Sequence, residues 1–171
     1  MKCKTYAVPL VVFFVFWLNC TPSIAQNYDS LYEAILDEYI SVDSTRVNRL
    51  NRLAYEVRNS QPYLALEIAQ KSHELAKSSN FIRGVIISET IIALVYTYKK
   101  EKDLALEHYV AGLLLAKKSG RVQSESDILN NIGNLYIQYE EYAMAMEYYT
   151  QSLDIKKRIN DLRGTAVTLG N

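Results

Sequence analysis

The sequence predicts an all-α solenoid of antiparallel helix pairs, and three observations predict it. From Asn27 onward Gly and Pro are scarce, and apolar residues recur at helical spacing. No stretch alternates apolar and polar residues for long enough to make a strand. The segment ETIIALVYTYKKEKDLALEHYVAGL, residues 89–113, returns about forty residues later, in worn form, as NNIGNLYIQYEEYAMAMEYYTQSL, residues 130–153. Self-similarity at that period marks stacked helical units.

Residues 1–25 read differently from the rest. Lys2 and Lys4 give a basic start, and Ala7 to Leu18 is an unbroken apolar run. A membrane-spanning helix needs roughly 20 apolar residues. This shorter run fits the apolar region of a signal peptide. Thr21, Pro22 and Ser23 break the run, and Ser23-Ile24-Ala25 puts small residues at the two positions a signal peptidase reads. Cleavage is expected between Ala25 and Gln26. Two other readings compete, a lipid on Cys20 and an uncleaved anchor. All three place the chain from Gln26 onward on the exported side, periplasmic or extracytoplasmic.

Residues 26–44 predict a leading helix. Ser30-x-x-Glu33 has the form of a capping box, Leu31, Ile35 and Tyr39 would make its apolar stripe, and Asp43 or Ser44 can cap the next helix. Residues 45–80 form a first unit. Leu50, Ala54 and Val57 share one face, Ser60 is the expected N-cap, and Pro62 stands in the first turn, where its missing N–H costs nothing. Residues 81–120 and 121–160 form the second and third units, aligned on Ala65, Ala105 and Ala145 at forty-residue intervals. Four residues on stand Ala69, Tyr109 and Tyr149, and seven on stand Ser72, Gly112 and Ser152. Gly84, Ser124 and Gly164 read as turn residues at the same pitch. In the preceding helices Ala93 matches Gly133, Tyr96 matches Tyr136, and Ala54 is the counterpart in the first unit. Small residues at Ala93, Ala105, Gly133 and Ala145 let two backbones approach, and Tyr96, Tyr109, Tyr136 and Tyr149 fill the space beside them. One pair cannot bury its apolar face alone, so pairs must stack. Leu169 lies forty residues after Leu129, so residues 161–171 begin a fourth unit and stop within its first helix. A longer natural protein, or a truncated copy, is expected, and the unfinished helix offers a route to self-association.

The order L-x-x-I-G-x-x-Y at Leu129–Tyr136, followed by A-x-x-x-Y-x-x-S at Ala145–Ser152, resembles the tetratricopeptide repeat, over residues 47–171. The forty-residue spacing exceeds the usual period of about 34. It is similar to the stretched variety in the N-terminal regions of bacterial sensor and histidine kinase proteins. Lys157 stands where the family often has Pro, and Ala69 replaces an aromatic. The resemblance implies a superhelix whose concave side is lined by the first helix of each unit. Helical spacing from the packing positions then nominates Asn51, Tyr55 and Arg58 in the first unit, Thr90, Leu94 and Tyr98 in the second, and Asn130, Asn134 and Gln138 in the third. Asn amides both donate and accept, which suits an extended peptide backbone. Arg52 or Arg58 can pair with a carboxylate. Asn131 and Asn134 can equally cap a helix or face water.

Composition excludes several classes of function. The 171 residues suit one domain. Lys+Arg and Asp+Glu are 19 each, so no basic surplus exists to grip nucleic acid. Cys3 and Cys20 are the only thiols, which leaves the rest of the chain without a disulfide, a Cys-ligated metal or a Cys nucleophile. No Gly-rich phosphate loop occurs. His73 and His108 fall at different places in the repeat, which argues against a shared metal site and for solvated or partly packed roles. Glu140-Glu141 and Lys99–Lys102 read as solvated turns, and no Ser, His and Asp set has nucleophile spacing. Most of the 14 Tyr fall on packing positions, with Tyr55 and Tyr98 the better candidates for exposure. The expectation is a scaffold without catalysis, cofactor or metal, binding a protein or peptide partner. Its setting would be the extracytoplasmic input region of a larger bacterial signal-transduction protein, touching a membrane only through a downstream segment. A stand-alone periplasmic scaffold or assembly factor, and the non-catalytic N-terminal part of an enzyme, are the alternatives.

Overall fold

The structure is a computed structural model that describes residues 24–37 and 44–171, with side chains from residue 27. The apolar run at 7–18, Cys3, Cys20, Tyr39 and Asp43 lie outside the described residues. Among the described residues eight helices succeed one another: α1 (Ile24–Asp37), α2 (Ser44–Val57), α3 (Pro62–Ser78), α4 (Ile82–Tyr98), α5 (Lys102–Lys118), α6 (Val122–Gln138), α7 (Tyr142–Arg158) and α8 (Leu162–Gly170). Each packs on its sequence neighbour, and α2, α4 and α6 also touch in turn. The protein is an all-α, solenoid-like stack. Among the described residues no helix is long and apolar enough to cross a membrane.

The regular pitch comes from the turns. Asn80, Lys100, Gly120, Glu140 and Asn160 stand twenty residues apart, each with φ between 55° and 65°. At each, the next residue's N–H reaches back to the helix it has left: Phe81 to Ala76, Glu101 to Tyr96, Arg121 to Ala116, Glu141 to Tyr136 and Asp161 to Lys156, at 2.8–3.0 Å. The positive-φ residue donates to a second carbonyl, as Lys100 does to Thr97 and Glu140 to Ile137. This is the Schellman closure, which satisfies carbonyls that a helix end leaves orphaned. The residue closing one helix is the N-cap of the next, so connections are short and helices alternate in direction. Of these six N-caps, Gln61 included, only Asp161 caps with its side chain, accepting from Gly164 N–H at 2.8 Å.

Several local expectations are corrected. Ser30 is no N-cap: α1 starts at Ile24, and the Ser30 hydroxyl donates back to the Asn27 carbonyl. The face of α1 that packs is Tyr32 and Ile35, while Leu31 is exposed. Gln61, not Ser60, precedes α3; Ser60 bonds to the Val57 carbonyl. Gly84, Ser124 and Gly164 are not turn residues but the third residues of α4, α6 and α8. There Gly84 permits close approach, since a Cβ would fall 2.5 Å from Phe81 and 2.7 Å from Val47.

The core runs between layers of helices. Leu50, Ala54 and Val57 of α2 are buried with Ala65, Ile68 and Ala69 of α3 and Ile91, Ile92 and Val95 of α4. A second cluster joins Ala93, Ala105, Tyr109, Ile128, Ile132, Tyr136 and Ala145. Burial raises the Tyr109 phenol to about 12. At Gly133 a Cβ would lie 2.5 Å from the Tyr149 ring, so Gly is what lets that ring lie against α6. Ser72 and Ser152, both buried, donate to carbonyls of Val47 and Ser126 at 3.2 and 2.7 Å. Small side chains here bring the two helices of a unit together, and a hydroxyl bonds across the contact.

Candidate functional site

Side chains of α2, α4 and α6 line a groove of about 550 Å³. Its apolar floor is Ile86, Ile87, Ile91 and Leu94 of α4 with Ile128 of α6. Polar groups ring it: Asn48, Asn51, Arg52 and Tyr55 from α2, Thr90 from α4, and Ser124, Asp127 and Asn131 from α6. The three helices meet this way because every unit places its first helix on the same side of the stack.

Of the nine residues nominated from sequence, Asn51, Tyr55, Thr90 and Leu94 line this groove. Asn51 is 3% exposed. Its Nδ2 donates to the Gly84 carbonyl at 3.2 Å, and its Oδ1, equally buried, has no donor among the described residues. Thr90 donates to the Ile86 carbonyl at 2.8 Å. The other five do not line the groove. The Arg58 guanidinium stacks 3.7 Å from the Tyr55 ring and donates to the Tyr55 carbonyl. Tyr98 is exposed beyond the groove. Asn130 is buried and accepts from Asn171. Asn134 accepts from the Tyr149 hydroxyl at 2.6 Å, and Gln138 donates to the Thr97 carbonyl at 3.3 Å. Sequence reasoning missed Asn48, Ile87 and Asp127, although they share one register position a turn before Asn51, Thr90 and Asn130. The groove runs from Ile86 to Leu94 on α4 and from Ser124 to Asn131 on α6, which leaves the later turns of those helices outside it.

A smaller cavity of about 380 Å³ continues from the shared residues Asp127 and Asn131 toward α8. Lys156 is buried in its wall, 3.1 Å from the Thr168 hydroxyl and 3.5 Å from Asp127. The N–H of Gly164 and then the Gln123 amide hold the Asp161 carboxyl below its usual range. Arg163 lines the same space, so two cations there face two carboxylates.

The two lysines flanking the Lys100 turn are engaged rather than merely solvated. Lys99 pairs with Glu101 at 2.7 Å and lies 5.3 Å from the Tyr63 and Tyr96 rings. Lys102 pairs with Glu141 and lies 4.9 Å from Tyr136. This takes one carboxylate of the Glu140-Glu141 pair into an ion pair. The histidines, separated by register, nevertheless converge. His73 on α3 and His108 on α5 approach the Glu89 carboxylate on α4 at 3.5 and 2.7 Å. Their unequal register positions are what let them reach one residue from two sides. Among the described residues no group of three or more His, Cys, Asp or Glu is arranged to hold a metal ion.

No protein-family model matches the chain, and no curated protein matches it.

Proposed function

We propose that the groove across α2, α4 and α6 binds an extended peptide segment of a protein partner, and that this part of the chain is a binding module rather than a catalyst. The observation that carries the reading is Asn51. A buried acceptor without a donor costs on the order of 1–3 kcal/mol. A peptide backbone N–H delivered to Asn51 Oδ1 would offset that cost, while the isoleucine floor covers an apolar side chain of the same peptide. Arg52, Asp127 and Asn131 lie at the sides, where they can fix register and direction. The resemblance of Leu129–Ser152 to the tetratricopeptide repeat supports the same use of the first helices. With the basic and apolar start at Lys2–Leu18, it also supports an exported setting at the input end of a signalling protein.

The test is selection of binders from a displayed random-peptide library, followed by calorimetry on the selected peptides. Leu94→Arg should abolish binding at some cost in stability, since Leu94 also packs on the core, and Asn131→Ala should weaken it about fivefold to thirtyfold, the loss of one to two hydrogen bonds, with thermal stability unchanged. Failure to select any peptide, or peptides that bind Leu94→Arg as well as the wild type, would sink the reading.

A further inference from the structure

We propose that His73, Glu89 and His108 form an acid-sensitive latch between the first two helix pairs, closed at neutral pH and loosened in acid along the α3–α4 seam. The three residues share no member with the groove lining. Other units place apolar residues at the same register. The counterparts of Glu89 are Leu50 and Leu129, both fully buried. Those of His73 are Leu113 and Leu153, and those of His108 are Ile68 and Tyr148. The second unit and its seam with the first thus put one carboxylate and two imidazoles where neighbouring units have apolar packing. Apolar packing at such a site is commonly as stable as a buried ionic cluster, or more so.

The geometry makes the cluster responsive to protons. Glu89 is only 14% exposed, and His108 holds one of its oxygens at 2.7 Å. The His108 ring also stacks on Tyr96, with centroids 5.6 Å apart. His73 Nδ1 lies 3.5 Å from the other oxygen and 3.2 Å from the Ser88 hydroxyl. One carboxylate can balance one imidazolium. His73 also faces Lys77 and Glu74 on its own helix and shares a cavity with Lys118 of α5. Burial is the largest influence on His73 and lowers its imidazole from the ordinary value; Lys77 and His108 act with burial, and Glu89 and Glu74 against it. A histidine held low favours the fold while neutral. Its contribution is complete above the unfolded value of about 6.5 and is lost as the pH falls below it.

Hydrogen exchange without any ligand tests the latch apart from the peptide reading. Amide protection is compared at pH 7.5 and pH 5.5, after correction for intrinsic exchange. The wild type is set against His73→Leu/Glu89→Leu/His108→Ile, which installs the other units' packing, and against His73→Gln, which removes only the titration. In the wild type, α3 and α4 should lose about threefold or more of their protection in acid, while α6 and α7 hold theirs. Either variant should lose the difference, so failure of the triple variant to fold still leaves His73→Gln to decide. Equal acid loss in wild type and variant, uniform loss across all helices, or no loss at α3 and α4 overturns the proposal.

Discussion

Two kinds of residue decide the local geometry, and they behave in opposite ways. Glu140 and Lys100 adopt a positive φ that side chains with a Cβ disfavour, and Glu140 is exposed. Glu140→Gly should therefore raise stability by about 1 kcal/mol, and Gly120→Ala should lower it by about as much, read from urea midpoints. Gly133 is the converse. Ala is the better helix former by about 1 kcal/mol, yet its Cβ would overlap the Tyr149 ring. Gly133→Ala should cost about 1–3 kcal/mol, and a lowered thermal midpoint would register it. The packing role of Gly133 was legible, because Ala93 stands forty residues earlier. The turns were half legible. Lys99–Lys102 and Glu140-Glu141 read as turns and stand at two of them, whereas Gly84 and Gly164 look like breakers but lie inside helices, and at Asn80 and Asn160 non-Gly residues hide the positive φ.

At the scale of the element, the first and third helix pairs are each held by one close contact and the hydroxyl that crosses it, while the second has Gly112 at that place. Ser152 donates to the Ser126 carbonyl from a fully buried position. Ser152→Ala should cost about 1 kcal/mol, with α6 and α7 exchanging faster than α2 and α3. The forty-residue repeat made the α4–α7 helices and their alignment readable. It gave little help with α1, which has no second copy to compare, and Ser30–Glu33 mimicked a start inside a helix already under way. The groove was half legible for a related reason. Spacing names the face of a helix but not how far along it the groove runs, and the lining stops at Leu94 and Asn131. Asn134 and Gln138 lie beyond it and bond to Tyr149 and Thr97. Glu89 escaped notice because only the folded chain brings α3 and α5 against it.

For the whole molecule, contacts run between neighbours in sequence or between first helices of successive units. Stability of such a stack is close to a sum of unit terms and nearest-neighbour terms. Ile132→Ala, at a fully buried site in the third unit, should cost about 2–5 kcal/mol. Exchange should show the loss concentrated in α6–α8, with α2 and α3 nearly untouched. The same linear construction lays one continuous groove along α2, α4 and α6, and the central claim is that this groove holds a peptide. The measurement that tests it most directly is the side-chain amide spectrum of 15N-labelled protein titrated with a selected peptide. The Asn51 and Asn131 amides should shift and saturate together, while the His73 and His108 ring resonances, followed in the same titration, should not move. Saturable binding that leaves Asn51 unmoved, or that shifts the histidines instead, would place the partner on another face and contradict the account.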